Sequence, residues 1–303
     1  MNCLSLYNGI SCGRVALERA GIEMNRYVSY EINEFANQIS KKNYPNDEYY
    51  GDVEEADFKK YIGFDLLIGG SPCQGLSSAN VYLENGEYGV NGSGKSRLFW
   101  EYVRAFKTIK PKYFLFENVA SMRKADIEII TKQLGVKPIK IDSILFSAQV
   151  RRRLYWTNIP ISIPIERQTN VELKDILQTE IALDRYYLKE GTVKYILSKG
   201  TGGWVSGNLK INPTFARPVV ASCWKAHRAD TDTYISTIYK PLDRTNIRKI
   251  TPLECERLQT LPDNYTNLEN INSISKLDKI RYESIGNGWT VDVIAYILKS
   301  LKN

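Results

Sequence analysis

The chain has 303 residues, enough for one large domain or a core domain with a smaller companion, and its 43% hydrophobic content allows a sizeable buried core. The formal net charge of +7 favours a polyanionic partner, and the excess is local: residues 151–250 hold 17 Lys/Arg against 9 Asp/Glu, while the other 203 residues hold 24 against 25. No run approaches the roughly 18 apolar residues of a membrane span, the five cysteines form no Cys-x-x-Cys pair and His227 is the only histidine, so neither a membrane span nor a zinc site is expected.

With no basic, apolar leader at its start, the chain reads as a cytoplasmic protein with reduced thiols. The basic segment taken alone would equally suit a solvated face.

In chain order, strand-like apolar runs fall at Cys3–Tyr7, Tyr27–Ile32, Asp65–Ile68, Tyr113–Phe116 and Ile139–Leu145. Amphipathic helical stretches lie between them at Arg14–Ala20, Glu34–Lys42, Leu98–Ile109 and Ala125–Leu134. This alternation predicts an α/β domain built on a mainly parallel sheet covered on both faces. Ligands of such sheets gather at the carboxyl ends of the strands. After Tyr155-Trp156 the pattern weakens, and residues 159–245 mix short runs with Gly200, Gly202, Gly203, Gly207, Pro213, Pro218 and Pro241. Regular pattern returns at Thr251-Pro252-Leu253-Glu254, with Thr251 as a helix N-cap and Pro252 at the first helical position. Thr290–Leu301 reads as a last helix that could pack on the first domain. The expected division is residues 1–158 plus 286–303 as one domain and 159–285 as a smaller, irregular one.

The chemistry-bearing residues stand at strand ends. Tyr7-Asn8-Gly9 opens a glycine turn that continues through Gly13 into a helix, so a ligand could approach the backbone closely. Glu31 closes the next strand, where a carboxylate can accept both hydroxyls of a ribose. Asp52, before Val53, could meet an adenine amino group. Gly69-Gly70-Ser71-Pro72-Cys73-Gln74-Gly75-Leu76-Ser77 follows the strand Asp65–Ile68. A cysteine on such a Pro- and Gly-rich loop is positioned and exposed, unlike a packed core cysteine. Glu117-Asn118-Val119 ends the strand Tyr113–Phe116 and can face the same crevice. In Gln149-Val150-Arg151-Arg152-Arg153, strand alternation puts Arg151 and Arg153 on one face, suited to a phosphate or carbonyl.

Gly89-Val90-Asn91-Gly92-Ser93-Gly94-Lys95-Ser96 also fits the phosphate-loop pattern G-x-x-x-x-G-K-S. That loop requires a buried strand before it and a helix after it. The helix is plausible at Ser96–Phe106, but Asn85-Gly86-Glu87-Tyr88 is polar and turn-like, and no apolar run ending in a magnesium-binding Asp follows.

Taken in order, Tyr7–Gly13, Glu31, Gly51–Val53, Ser71–Gln74, Glu117–Val119, Gln149–Arg153, Thr251–Pro262 and Gly286–Val291 resemble the motifs of the DNA cytosine-5 methyltransferases. The overall order is similar to the bacterial and phage enzymes. Gly94–Phe99 and Ser147–Asn158 look most like the catalytic domains of the de novo mammalian type. The resemblance implies a Rossmann-like S-adenosylmethionine-dependent methyltransferase fold with a smaller irregular target-recognition domain. It implies Cys73 as the nucleophile that adds to C6 of a flipped-out cytosine, Glu117 holding N3 and the amino group, and Arg151 and Arg153 positioning the base and the thiolate loop. Tyr7, Gly9, Gly13, Glu31, Asp52, Val53, Pro72, Leu98, Asn287 and Trp289 would line the S-adenosylmethionine site, which releases S-adenosylhomocysteine. Gln74, Ser77, Lys210 and Arg228 would meet DNA, and a segment around Trp204 and Trp224–Arg228 could enter a groove. The implied partner is double-stranded DNA, bound by a monomer, without metal or membrane. The implied setting is a prokaryotic cell or its phage, with a companion restriction endonuclease left open.

Two features depart from the family's commoner form: Gly13 is followed by Arg14 instead of a second glycine, and Gly286-Asn287-Gly288-Trp289 is bulkier than Gly-Asn-Ala-Val. A non-catalytic DNA-binding relative need not keep Cys73, Glu117, Arg151 and Arg153, all of which are present. The tRNA-modifying branch of the superfamily typically carries Cys-Phe-Thr in the recognition region, a tripeptide this sequence lacks.

Overall fold

Every side chain of Cys3–Leu6 and of Leu66–Gly69 is buried. Because successive strand residues point to opposite faces, these strands must be covered on both sides. They lie at the centre of a seven-stranded sheet in the computed structural model, which describes residues 1–76, 88–179, 184–197, 211–229 and 231–302. The chain divides into two compact units, one of residues 1–142, 152–165 and 291–303, the other of residues 143–151 and 166–290.

In the first unit the elements run β1 (Asn2–Leu6), α1 (Cys12–Arg19), β2 (Arg26–Tyr30), α2 (Glu34–Asn43), β3 (Glu48–Tyr50), β4 (Leu66–Gly69), α3 (Phe99–Ile109), β5 (Tyr113–Val119), α4 (Lys124–Leu134), β6 (Ile139–Asp142) and β7 (Arg152–Thr157), and the helix Val291–Lys299 completes it. The sheet order is β3-β2-β1-β4-β5-β7-β6. The first five positions pair in parallel, and β7 runs antiparallel to both β5 and β6. The ends of β1, β4 and β5 are therefore adjacent, with Leu6 opposite Gly69 and Gly69 opposite Phe116. Local chemistry agrees with these bounds: the Asn33 side chain caps α2 by accepting from the Ala36 amide, and Gly135 ends α4 in the left-handed conformation. Phe99, Tyr102, Phe116 and Trp156 pack at the centre of the core.

The second unit contains α5 (Leu173–Ile176), α6 (Glu190–Leu197), β8 (Tyr234–Ser236), β9 (Ile247–Lys249), α7 (Pro252–Leu258) and α8 (Ile274–Asn287). Only β8 and β9 form a sheet among its described residues, an antiparallel pair. Thr251 caps α7 as expected: its hydroxyl accepts from the Glu254 amide and the Glu254 carboxylate accepts from the Thr251 amide, with Pro252 at the first position. Glu254 is wholly buried and also pairs with Arg248 at 2.8 Å. An apolar cluster that includes Leu173, Cys255, Leu258, Tyr282 and Ile285 forms the core of this unit. No described helix is long and apolar enough to cross a membrane.

Candidate active site

The Cys73 loop begins where β4 ends. At Gly69 an added Cβ would lie 2.9 Å from the Leu6 carbonyl oxygen and 3.1 Å from the Tyr102 ring, so only glycine allows the strand to pass this close. Beyond it the Asn118 side-chain amide, at the end of β5, donates to the Ser71 carbonyl at 3.1 Å. The Leu76 amide donates to the Cys73 carbonyl at 2.9 Å, closing a turn over Gln74 and Gly75. Cys73 is partly exposed, whereas Cys3, Cys12, Cys223 and Cys255 are all buried. Burial also pushes the Cys3 and Cys255 thiols well above the ordinary range, keeping them protonated. An accessible thiol is therefore found only on this loop.

Glu117 sits beside it on β5, 9% exposed. One of its oxygens pairs with Arg153 Nε at 2.9 Å across the β5–β7 ladder. Arg153 also donates to the Arg152 carbonyl, which holds the guanidinium in place. Cys73 and the Glu117–Arg153 pair thus follow adjacent strands at one sheet edge.

A second group gathers around β1 and β2. Tyr7, Gly9 and Ser11 all have positive φ, near 58°, 55° and 60°. A buried network holds this turn: Asn8 accepts from Ser5 and Tyr27 and donates to Ser11, which donates to Ser40, and Ser40 donates to the Gly9 carbonyl. The Glu31 carboxylate accepts the Gly9 amide at 2.9 Å through one oxygen and the Asn33 amide at 2.8 Å through the other. Each oxygen keeps a further lone pair for a hydroxyl. A Cβ built on Gly9 or Gly51 would meet nothing within 4 Å, so space lies open beside both. Ile32, 68% exposed, shares a shallow groove with Glu31 and Gly51. This exposed apolar residue beside the Glu31 carboxylate is one that a reading for polar motifs passes over. Asp52 caps the turn Val53–Glu55 by accepting the Glu54 amide, and Val53 is buried. The Tyr7 hydroxyl donates to the Leu98 carbonyl, and Gly13 is buried within α1.

The expected alternation of Arg151 with Arg153 does not occur, because β7 begins only at Arg152. Arg151 belongs to the second unit and is 4% exposed. Its guanidinium donates to the carbonyls of Val219, Gly286 and Gly288. A buried guanidinium must satisfy its N–H groups locally, and three carbonyls do so here. Gln149 does comparable work in the same unit, donating to the Leu258 carbonyl and the Gln259 side chain and accepting from the Val219 amide. Gln259 in turn donates to the carbonyls of Ile285 and Gly288. Arg151, Gln149 and Gln259 therefore hold the turn that carries Asn287, which is exposed, and Trp289, which is partly buried.

Gly286 in that turn has no room for a side chain, since an added Cβ would lie 2.3 Å from backbone atoms of Val220 and Ala221. Gly286→Ala is expected to cost about 1–3 kcal/mol through overpacking. A thermal melt should register this as a fall of roughly 2–4 °C per kcal/mol.

Gln74 is exposed on the Cys73 loop. The Arg228 and His227 amides donate to a carboxylate oxygen of Asp232, fixing the backbone there. Ser77, Lys210, Trp204 and the glycines Gly200–Gly207 lie outside the described residues.

The phosphate-loop pattern does not form a phosphate loop. Its described residues up to Gly94 are bends and turns, and Lys95–Leu98 is a short 3-10 turn leading into α3. The Gly89 amide donates to the Gly75 carbonyl and the Val90 amide to Asp126, so these N–H groups are already occupied.

The family model described as C-5 cytosine-specific DNA methylase matches residues 1–303. The type II methyltransferase M1.ScrFI of Lactococcus lactis subsp. cremoris is 27% identical over 326 residues, covering 98% of this chain and 77% of that protein. The orphan methyltransferase M.Rho11sI of Bacillus phage rho11s is 28% identical over 216 residues, covering 69% of this chain and 39% of that protein. Among solved structures, the Entamoeba histolytica methyltransferase EhMeth superposes with a TM-score of 0.74 at 20% identity, over 100% of this chain and 99% of that one, a likeness of fold.

Proposed function

Because the chain belongs to the C-5 cytosine-specific DNA methylase family, we propose that it methylates C5 of a cytosine in duplex DNA from S-adenosylmethionine, through a transient bond between Cys73 and C6 of the base. The observation that carries this reading is the partly exposed Cys73 on a braced loop next to the strand that bears Glu117, itself paired with Arg153 of β7. The sheet has the mainly parallel form of the S-adenosylmethionine-dependent methyltransferase fold.

The residues around β1, β2 and β3 suit that cofactor. Glu31 keeps lone pairs for two ribose hydroxyls, the open space at Gly9 admits a bulky group against the backbone, and Ile32 offers an apolar face. Tyr7, Asp52, Val53, Pro72 and Leu98 complete the proposed first-unit lining, with Gly13 starting the helix behind it. When bound, S-adenosylmethionine supplies a methyl group on a positively charged sulfur.

The chain's own residues prepare the acceptor. C5 of cytosine is a poor nucleophile in the aromatic ring. The Cys73 thiolate donates an electron pair to C6, the C5–C6 double bond opens, and electron density moves towards C5 and N3. A proton shared between Glu117 and N3 takes up the density that arrives there, while the exocyclic amino group donates to the same carboxyl. Arg153 holds one Glu117 oxygen and so fixes the direction of the carboxylate. After C5 is methylated, its proton passes to a water molecule acting as base, the C5–C6 double bond returns, and the sulfur leaves with its electron pair as the Cys73 thiolate. The base must leave the duplex to reach the thiol. The first unit would perform this chemistry, and the second, with Arg228 and Lys210 on its basic segment, would read the DNA. Arg151 acts on the backbone around Asn287. The reading requires no metal, no membrane and no companion endonuclease.

Labelled S-adenosylmethionine offered with duplex DNA or with tRNA tests the substrate. Label is expected in the DNA, and bisulfite sequencing of the product would then identify the recognised sequence. Preferential labelling of tRNA would overturn the assignment.

A further inference from the structure

Ser96, the last residue of the phosphate-loop pattern, is wholly buried. Its hydroxyl oxygen accepts the Gly75 amide at 3.0 Å and donates to the Pro72 carbonyl at 3.0 Å. These two groups flank Cys73 and Gln74 in the chain. One hydroxyl thus ties both ends of the nucleophile's turn, 21 residues away from Gly75 in sequence. The tie is itself anchored: Ser96 leads into α3 through the 3-10 turn Lys95–Leu98, the Gly89 amide reaches the Gly75 carbonyl at 2.7 Å, and Trp100 donates to the Val90 carbonyl.

We propose that Ser96 is a positioning residue for the Cys73 nucleophile, setting the direction of the thiol through Pro72 and Gly75 without touching the substrate. This rests on the reading of Cys73 given above. A hydroxyl can donate once and accept at the same time, so it suits a site offering one carbonyl and one N–H. Removing it leaves a buried N–H unpaired and frees the turn to relax. A shift of about 1 Å at a reacting atom is enough to lower a rate by roughly 100-fold. Ser96 therefore has a place in the methyl-transfer site instead of a nucleotide-hydrolysing one.

Ser96→Ala is expected to lower kcat by about 10- to 100-fold while leaving KM for S-adenosylmethionine and for DNA near the wild-type values. The other four cysteines are buried, so iodoacetamide alkylation reports on Cys73, and its rate and pH profile should shift in the same variant. A purely structural role would lower Tm without moving that profile. Ser96→Thr and Ser96→Val differ in the hydroxyl and have almost the same shape. The threonine variant should transfer methyl at least about 10-fold faster than the valine variant. This pair decides the matter if the alanine variant does not fold. Equal rates for Thr and Val, or a folded Ser96→Ala with wild-type kcat and alkylation profile, would overturn the inference. Cys73→Ser in the same assay separates the two readings. If it still methylates, the nucleophile assignment fails. If it is inactive while Ser96→Ala is normal, the positioning role alone fails.

Discussion

Cys73→Ser is expected to bind duplex DNA and S-adenosylmethionine almost as the wild type does, and to lose methyl transfer by at least about ten-thousand-fold. The argument is electronic. A serine hydroxyl at neutral pH is almost wholly protonated and is a far weaker nucleophile than a thiolate towards C6. Without that addition, C5 lacks the electron density to accept a methyl group. The loop geometry should survive, because it depends on Asn118, Ser96 and the Leu76–Cys73 turn and not on the sulfur. Gel shift and isothermal titration should therefore separate binding from turnover. A duplex carrying 5-fluorocytosine at the target should trap a stable complex with the wild type, since fluorine cannot leave C5 as a proton does. Cys73→Ser should trap none. Near-normal turnover by this variant would refute the covalent mechanism, and none of the buried cysteines could replace it.

Glu117→Gln is expected to lower the transfer rate by about 100- to 10,000-fold. Glutamine keeps the shape and one carbonyl oxygen but loses the negative charge. It therefore weakens the ion pair with Arg153 and presents a different donor pattern to N3 and the amino group. The charge of Arg153 would then lie at a mostly buried position without its counter-ion. The trapping experiment distinguishes this from a failure of the thiol. Glu117→Gln should still form the 5-fluorocytosine adduct, only more slowly, because Cys73 remains intact. A variant with an unchanged single-turnover rate would remove Glu117 from the chemistry.

Much of the first unit is legible in the sequence. Apolar runs and amphipathic stretches mark β1, β2, β4, β5 and helices α1 to α4 to within a few residues. Strand ends also mark Tyr7, Glu31, Cys73 and Glu117, because parallel strands deliver their carboxyl ends to one edge. The short β3 escapes because Glu48-Tyr49-Tyr50 has too few residues to show a period. The extended reading at Ile139–Leu145 overruns, since Ser143–Leu145 turns into a 3-10 helix. In the second unit α8 is missed because its buried positions include Asp278 and Arg281, charged residues whose partners lie elsewhere in the chain.

Residue order and chemical type alone determined the alternating first unit, the capped start of α7 and the accessible loop position of Cys73, because periodicity, capping and loop composition are local properties. Only the tertiary structure decided what the arginines and the phosphate-loop pattern do. Arg151 and Arg153 are two residues apart, yet one donates to three backbone carbonyls and the other pairs with Glu117. Ser96 resembles a phosphate ligand in sequence and ties down the Cys73 loop in space. A buried polar group takes its role from whichever partners the fold brings within hydrogen-bond reach, and those partners are distant in sequence.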